Sequence, residues 1–128
     1  NARAPYVLCR DLLGLIRQSQ AGYIINISSV VGLKGYALQT AYSASKHALR
    51  GKSMALAEEL SDSNIRVHVI CPGGTATEMV TRVRPDIPVE ELIDPAEIAE
   101  LVHYLVTHKG NAMMDELHIR RKTSAPWY

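Results

Sequence analysis

Residues 23–27 read Tyr-Ile-Ile-Asn-Ile, and residues 65–70 read Ile-Arg-Val-His-Val-Ile. The first run is apolar at positions that face opposite sides of a strand. Such a strand belongs inside a parallel sheet whose two faces are both covered. The second run is a strand stopped by Pro72-Gly73-Gly74. Before the first strand, Ala4, Val7, Leu8, Leu12, Leu15 and Ile16 recur every three or four residues, which predicts a helix over 2–18 ended by Ala21-Gly22. Between the strands, Ala48, Leu49, Ala55, Leu56 and Leu60 predict a second helix over 41–60, and 28–39, with Gly32 and Gly35, reads as a loop. Residues 76–93 are polar and broken by Pro85 and Pro88, consistent with a short helical piece or a mobile flap. Asp94-Pro95 with Glu97 starts a third helix as an N-cap, a first-turn proline and a capping box. Ile98, Leu101, Val102 and Leu105 form its apolar face, and Gly110 is its expected stop. Leu117 and Ile119 alternate with Glu116 and His118 in a last strand, before a tail over 120–128 that is basic, then aromatic. Helix and strand alternate throughout, so the strands are expected to run parallel with right-handed crossovers.

The chain has 128 residues, 47% hydrophobic and 21% charged, with a net charge of +1. That suits one domain or part of one. The near balance of charge argues against nucleic acid or an anionic membrane as partner. No apolar run nears the roughly 18 residues of a membrane-spanning helix. Two separated cysteines, Cys9 and Cys71, fit a reduced, cytoplasmic setting rather than a disulfide scaffold. The helical pattern is already under way at Asn1, which leads us to expect further residues upstream.

Tyr42 and Lys46 are four apart at the start of the second helix and share one face. A free phenol titrates near pH 10, and a neighbouring cation favours phenolate, the condition for proton transfer at neutral pH. By itself such a pair usually marks an exposed helix face. Its context differs. Ser29 lies thirteen residues earlier, just past a strand, and Cys71-Pro72-Gly73-Gly74-Thr75-Ala76-Thr77 ends the next strand at the same edge. Ligands of open α/β sheets bind in that crevice.

The strings NISSVVG (26–32), AYSASK (41–46) and CPGGTAT (71–77), in this order and spacing, closely resemble the short-chain dehydrogenase/reductase superfamily. The resemblance implies the C-terminal half of a Rossmann-like, doubly wound α/β sheet, with about three parallel strands and helices on both faces. All 128 residues would then form a single partial domain. It implies hydride transfer between NAD or NADP and a small-molecule carbonyl or secondary alcohol. Tyr42 matches the catalytic acid/base, Ser29 the serine that bonds the substrate oxygen, and Lys46 the lysine that holds the nicotinamide ribose. Asn1, 28 residues before Ser29, matches the asparagine that holds a relay water. Tyr42, Lys46, Pro72, Gly73, Thr75 and Thr77 are the implied cofactor contacts, Thr75 standing where the family often has an aliphatic residue.

The family's glycine-rich pyrophosphate turn has no counterpart among these residues, nor does the position that selects NAD or NADP. We therefore expect this chain alone to bind NAD(P)H weakly or not at all. The alternative reading is a catalytically silent fragment acting only as an oligomeric scaffold. The resemblance also implies a homo-oligomer through the helices at 2–18 and 41–60. Independently, the first helix is apolar around more than one stripe (Val7, Leu8, Leu12, Leu13, Leu15, Ile16) and the second carries Ala44, Ala48, Gly51, Ala55 and Ala57. His47, His68, His103, His108 and His118 lack metal-ligand spacing, and no metal site is expected. Cys9 and Cys71 read as small buried hydrophobes, Met113-Met114 as core filler, and Arg120-Arg121-Lys122 as a solvated cluster.

Overall fold

A computed structural model describes residues 1–126. Helix α1 (Arg3–Ile16) leads to strand β1 (Gly22–Ile27), helix α2 (Thr40–Glu59) and strand β2 (Ile65–Pro72). The short helix α3 (Glu78–Val83), helix α4 (Pro95–Thr107) and strand β3 (Glu116–Ile119) follow. The three strands form one parallel sheet in the order β1-β2-β3, with Ile27 opposite Ile70 and Pro72 opposite Ile119. The expected parallel α/β architecture is thus present, and each boundary falls within a few residues of the periodic pattern. The aromatic end of the tail, Trp127 and Tyr128, lies outside the described residues.

Ile24, Leu60, Ile65 and Val67 are the centre of the core, and Cys9, Leu13 and Ile16 from α1 and Leu56 and Ala57 from α2 pack against them. One polar pair is buried among these apolar groups. Asn26 donates to Ser53 Oγ at 2.8 Å, and Ser53 in turn donates to the Leu49 carbonyl at 2.7 Å. A buried amide without a partner costs roughly 1–3 kcal/mol, so this pair ties α2 to β1 at one register.

The inward face of α2 runs through Leu49, Ser53, Leu56 and Leu60, and Ala48 and Ala55 lie on its exposed side. Several expectations are corrected. α4 starts on the expected Asp94–Glu97 capping box but ends at Thr107, not at Gly110. His108 is already extended there, and its ring stacks on Tyr104 at 4.9 Å. Met113 and Met114 are exposed rather than core. Of the two alternatives for 76–93, the short helical piece is present as α3 and the mobile flap is not: Ile87, Leu92 and Ile93 are buried, and Thr75 bridges to Ile93 in parallel. Arg121 is not a solvated tail charge, since it is mostly covered and reaches Glu91 at 3.4 Å.

Candidate active site

Strands β1 and β2 end side by side, and the residues singled out in the sequence collect at that edge. Past Ile27 the chain turns through Ser28 and Ser29 into a short 3-10 turn at Val30–Gly32. Ser29 caps this turn, its Oγ accepting from the Val31 N–H at 3.2 Å. Accepting there leaves the Ser29 hydroxyl proton for a ligand oxygen. Ser28 donates to the Lys46 carbonyl at 3.1 Å. Gly32 makes the approach possible: a Cβ there would lie 2.6 Å from Ser28 Oγ and 3.0 Å from the Lys46 carbonyl oxygen. The turn after β1 is therefore pressed against the backbone of α2 at Lys46.

Tyr42 and Lys46 occupy successive turns of α2, with the Lys46 ammonium 5.8 Å from the centre of the Tyr42 ring. Lys46 Nζ also donates to the Ile27 carbonyl at 2.9 Å, which aims the cation at the end of β1. Burial draws the Lys46 pKa below its usual value, with the charge of Cys71 acting in the other direction. Asn1 donates to Ser45 Oγ at 3.2 Å, and Ser45 donates to the Tyr42 carbonyl at 2.7 Å. Asn1 is thereby tied to the turn that bears Tyr42. Its side chain is engaged with Ser45, and it touches neither Lys46 nor Ser29 in the hydrogen bonds described.

Pro72, Gly73, Thr75 and Thr77 line the continuation of β2. Gly73 donates to the Ile119 carbonyl at 2.7 Å, and Thr75 Oγ1 donates to the Gly73 carbonyl at 3.2 Å. Thr77 caps α3, accepting from the Val80 N–H. The strip is held from both sides, by β3 at Gly73 and by Ile93 at Gly74 and Ala76. These bonds fix the strip at the carboxyl end of β2.

A second cluster behind this edge was not visible as a motif. Arg50, one turn beyond Lys46, grips Glu116 of β3 with two hydrogen bonds of 2.6 and 2.9 Å. These bonds hold the Glu116 carboxyl down at about 2, with burial opposing and His118 and Cys71 assisting. Cys71 lies against the same carboxylate at 3.5 Å, and His118 at 3.0 Å. Burial, then Glu116, push the Cys71 thiol up to about 11, while the Ser29 backbone N–H and Arg50 pull the other way. The only sequence signal for this group was the two-residue spacing of Glu116 and His118, which any strand shows.

Comparison with known proteins decides the family. The model for short chain dehydrogenase matches residues 1–88. The chain belongs to the short-chain dehydrogenase family. An acetoacetyl-CoA reductase from Acinetobacter sp. (strain RA3849) is 43% identical over 118 residues, covering 86% of this chain and 48% of that protein. A putative short chain dehydrogenase from Escherichia coli CFT073, complexed with NADPH, superposes with a TM-score of 0.81 at 34% identity, covering 92% of this chain and 48% of its own. A 4-hydroxyisoleucine dehydrogenase complexed with NADH gives 0.76 at 31% identity, covering 92% and 53%. The chain thus spans about half the length of the short-chain dehydrogenases it matches. The α/β sheet with three parallel strands is the part of the Rossmann-like fold that they share with it. Among the described residues, no helix is long and apolar enough to cross a membrane.

Proposed function

We propose that these residues are the catalytic part of an NAD(P)-dependent oxidoreductase that interconverts a small-molecule carbonyl and a secondary alcohol. One observation carries the reading: Tyr42 and the Lys46 ammonium share a face of α2, and Lys46 is anchored to the end of β1 next to Ser29. A bound nicotinamide supplies or accepts the hydride. Tyr42 then donates the proton to the carbonyl oxygen, or removes it from the alcohol, through its phenolic oxygen. Lys46 places positive charge beside that phenol, where it stabilises negative charge on the ring oxygen. Ser29 donates a hydrogen bond from its hydroxyl to the same substrate oxygen and fixes its direction. Asn1 and Ser45 hold the Tyr42 turn and supply polar groups for a water that returns the proton. Lys46, Pro72, Gly73, Thr75 and Thr77 would hold the nicotinamide ribose and carboxamide.

The relatives' complexes with NADPH and NADH support a nicotinamide cofactor of either kind. In this reading all 128 residues form one partial domain. The protein is a cytoplasmic homo-oligomer that meets neither nucleic acid nor membrane, on the grounds of its two unbridged cysteines, its charge balance and its exposed helix faces. Tyr6, Leu8, Leu12 and Leu15 are exposed along α1, and Ala44, Ala48, Gly51 and Ala55 line an exposed stripe of α2. These two faces would pair across a two-fold axis. The test of function is Tyr42→Phe in the full natural product that carries these residues. It keeps the ring and removes the proton, so carbonyl-dependent oxidation of NADH or NADPH should fall about 10²–10⁴-fold. Turnover at the parental rate would refute the assignment.

A further inference from the structure

Cys71 stands opposite His118 in the pairing of β2 with β3, and Glu116 lies two residues before His118. Residues two apart on a strand share a face. Register alone therefore gathers a thiol, a carboxylate and an imidazole on one side of the sheet. Glu116 Oε1 is 3.0 Å from His118 Nε2 and 3.5 Å from Cys71 Sγ. The three candidate donor atoms all lie within 4.8 Å of one another. We propose that Cys71, Glu116 and His118 form a binding site for zinc(II), made of residues to which the proposed reaction gives no role.

The distances suit that ion. Zinc bonds of about 2.3 Å to sulfur and 2.0–2.2 Å to nitrogen and oxygen put tetrahedral donors about 3.3–3.7 Å apart. The two separations from Glu116 sit close to this range; Cys71 is buried and fixed, so the exposed His118 ring is the group that rotates to bring its nitrogen, which lies within 4.8 Å of the sulfur, into place. Calcium and magnesium are disfavoured, because they take oxygen donors and this set is sulfur, nitrogen and oxygen. Three protein ligands leave a fourth position for water, on the side of His118, whose side chain is 42% exposed. Binding forms a zinc–sulfur bond and releases the thiol proton to solvent; nothing is oxidised or reduced.

Arg50 is part of the design and also its limit. Both Glu116 oxygens accept from Arg50. A zinc ion on Oε1 displaces the bond from Arg50 Nε and leaves the one from Nη2 to Oε2, so the guanidinium orients the ligating carboxylate from behind. Arg50 and, beyond Cys71, Lys46 are cations close to the ion. Their repulsion makes the expected affinity weaker than that of a site built only of anions and imidazoles.

Cobalt(II) titrated into the reduced 128-residue chain is the direct probe. We expect a sulfur-to-cobalt charge-transfer band and visible bands of tetrahedral intensity, saturating at one ion per chain and displaced by zinc. Cys71→Ala should abolish the charge-transfer band, whereas Cys9→Ala should leave it. His118→Ala changes an exposed side chain and should weaken cobalt and zinc binding at least ten-fold, with circular dichroism confirming the fold. No charge-transfer band, a band that survives Cys71→Ala, or unchanged affinity in His118→Ala would each overturn the site. None of these readouts requires a nicotinamide or turnover.

Discussion

Glu116→Gln removes one charge from the place where α2 and β3 are joined and keeps the shape of the side chain. In the native chain the two Arg50 hydrogen bonds hold this carboxyl at about 2, against an ordinary value of 4.5. At roughly 1.4 kcal/mol for each pH unit, that depression corresponds to about 3 kcal/mol before solvent is considered. Water reaches 20% of the Glu116 side chain and 31% of Arg50, so screening reduces the expected contribution to about 1–2 kcal/mol. The sign follows from linkage. A carboxyl whose pKa is lower folded than unfolded stabilises the fold fully above the unfolded value, and the contribution drains away as pH falls from about 4.5 towards 2. Urea unfolding followed by circular dichroism, with a chelator present to keep metal off Cys71 and His118, measures this directly. At pH 7 the Gln variant should be about 1–2 kcal/mol less stable, and at pH 3 the gap should shrink by half or more. An equal gap at both values, or none at pH 7, would refute the claim that an ion pair joins these two elements.

Gly32→Ala would set a Cβ 2.6 Å from Ser28 Oγ and 3.0 Å from the Lys46 carbonyl oxygen, where the helix backbone has no room to yield. It should cost about 1–3 kcal/mol in thermal or urea unfolding, and parental stability would contradict the packing described. Asp94→Ala removes the cap that accepts from the Ala96 N–H at 2.8 Å and should cost about 1 kcal/mol by the same measurement. Leu8→Lys with Leu15→Lys charges two outward positions of α1 and should convert an oligomer to a monomer in analytical ultracentrifugation. A parental chain that is already monomeric at micromolar concentration defeats the helix-pairing proposal. Ile16, although part of the same apolar run, packs into the core and would confuse that test.

Much of the fold was legible because its signals are local. Apolar runs at 23–27 and 65–70, helical spacing between them and the Asp94–Glu97 cap each act within a few residues, and each appears where it was expected. The same holds for Tyr42 and Lys46, whose four-residue spacing suffices to put them on one face. Helix faces were read less well. Ala48 and Ala55 fitted both the periodic pattern and a stripe open to a partner helix, and only the docking of α2 on the sheet puts them on its outer side. The segment at 76–93 left a short helical piece or a mobile flap open; it holds the helical piece α3, and pairing between Thr75 and Ile93 anchors it. Periodicity cannot register a contact between residues eighteen apart.

The amino-acid sequence by itself determined the order of elements, the parallel sheet and the gathering of Ser29, Tyr42 and Lys46 at one edge, since those depend on spacing along the chain. Only the tertiary structure decided that Lys46 bonds the Ile27 carbonyl, that Gly32 lets the turn press on α2, and that Arg50, Cys71, Glu116 and His118 meet. That last group joins α2, β2 and β3 across separations of up to 66 residues in the chain. Its members are brought within bonding distance by strand register and helix docking, and no spacing rule carries that information.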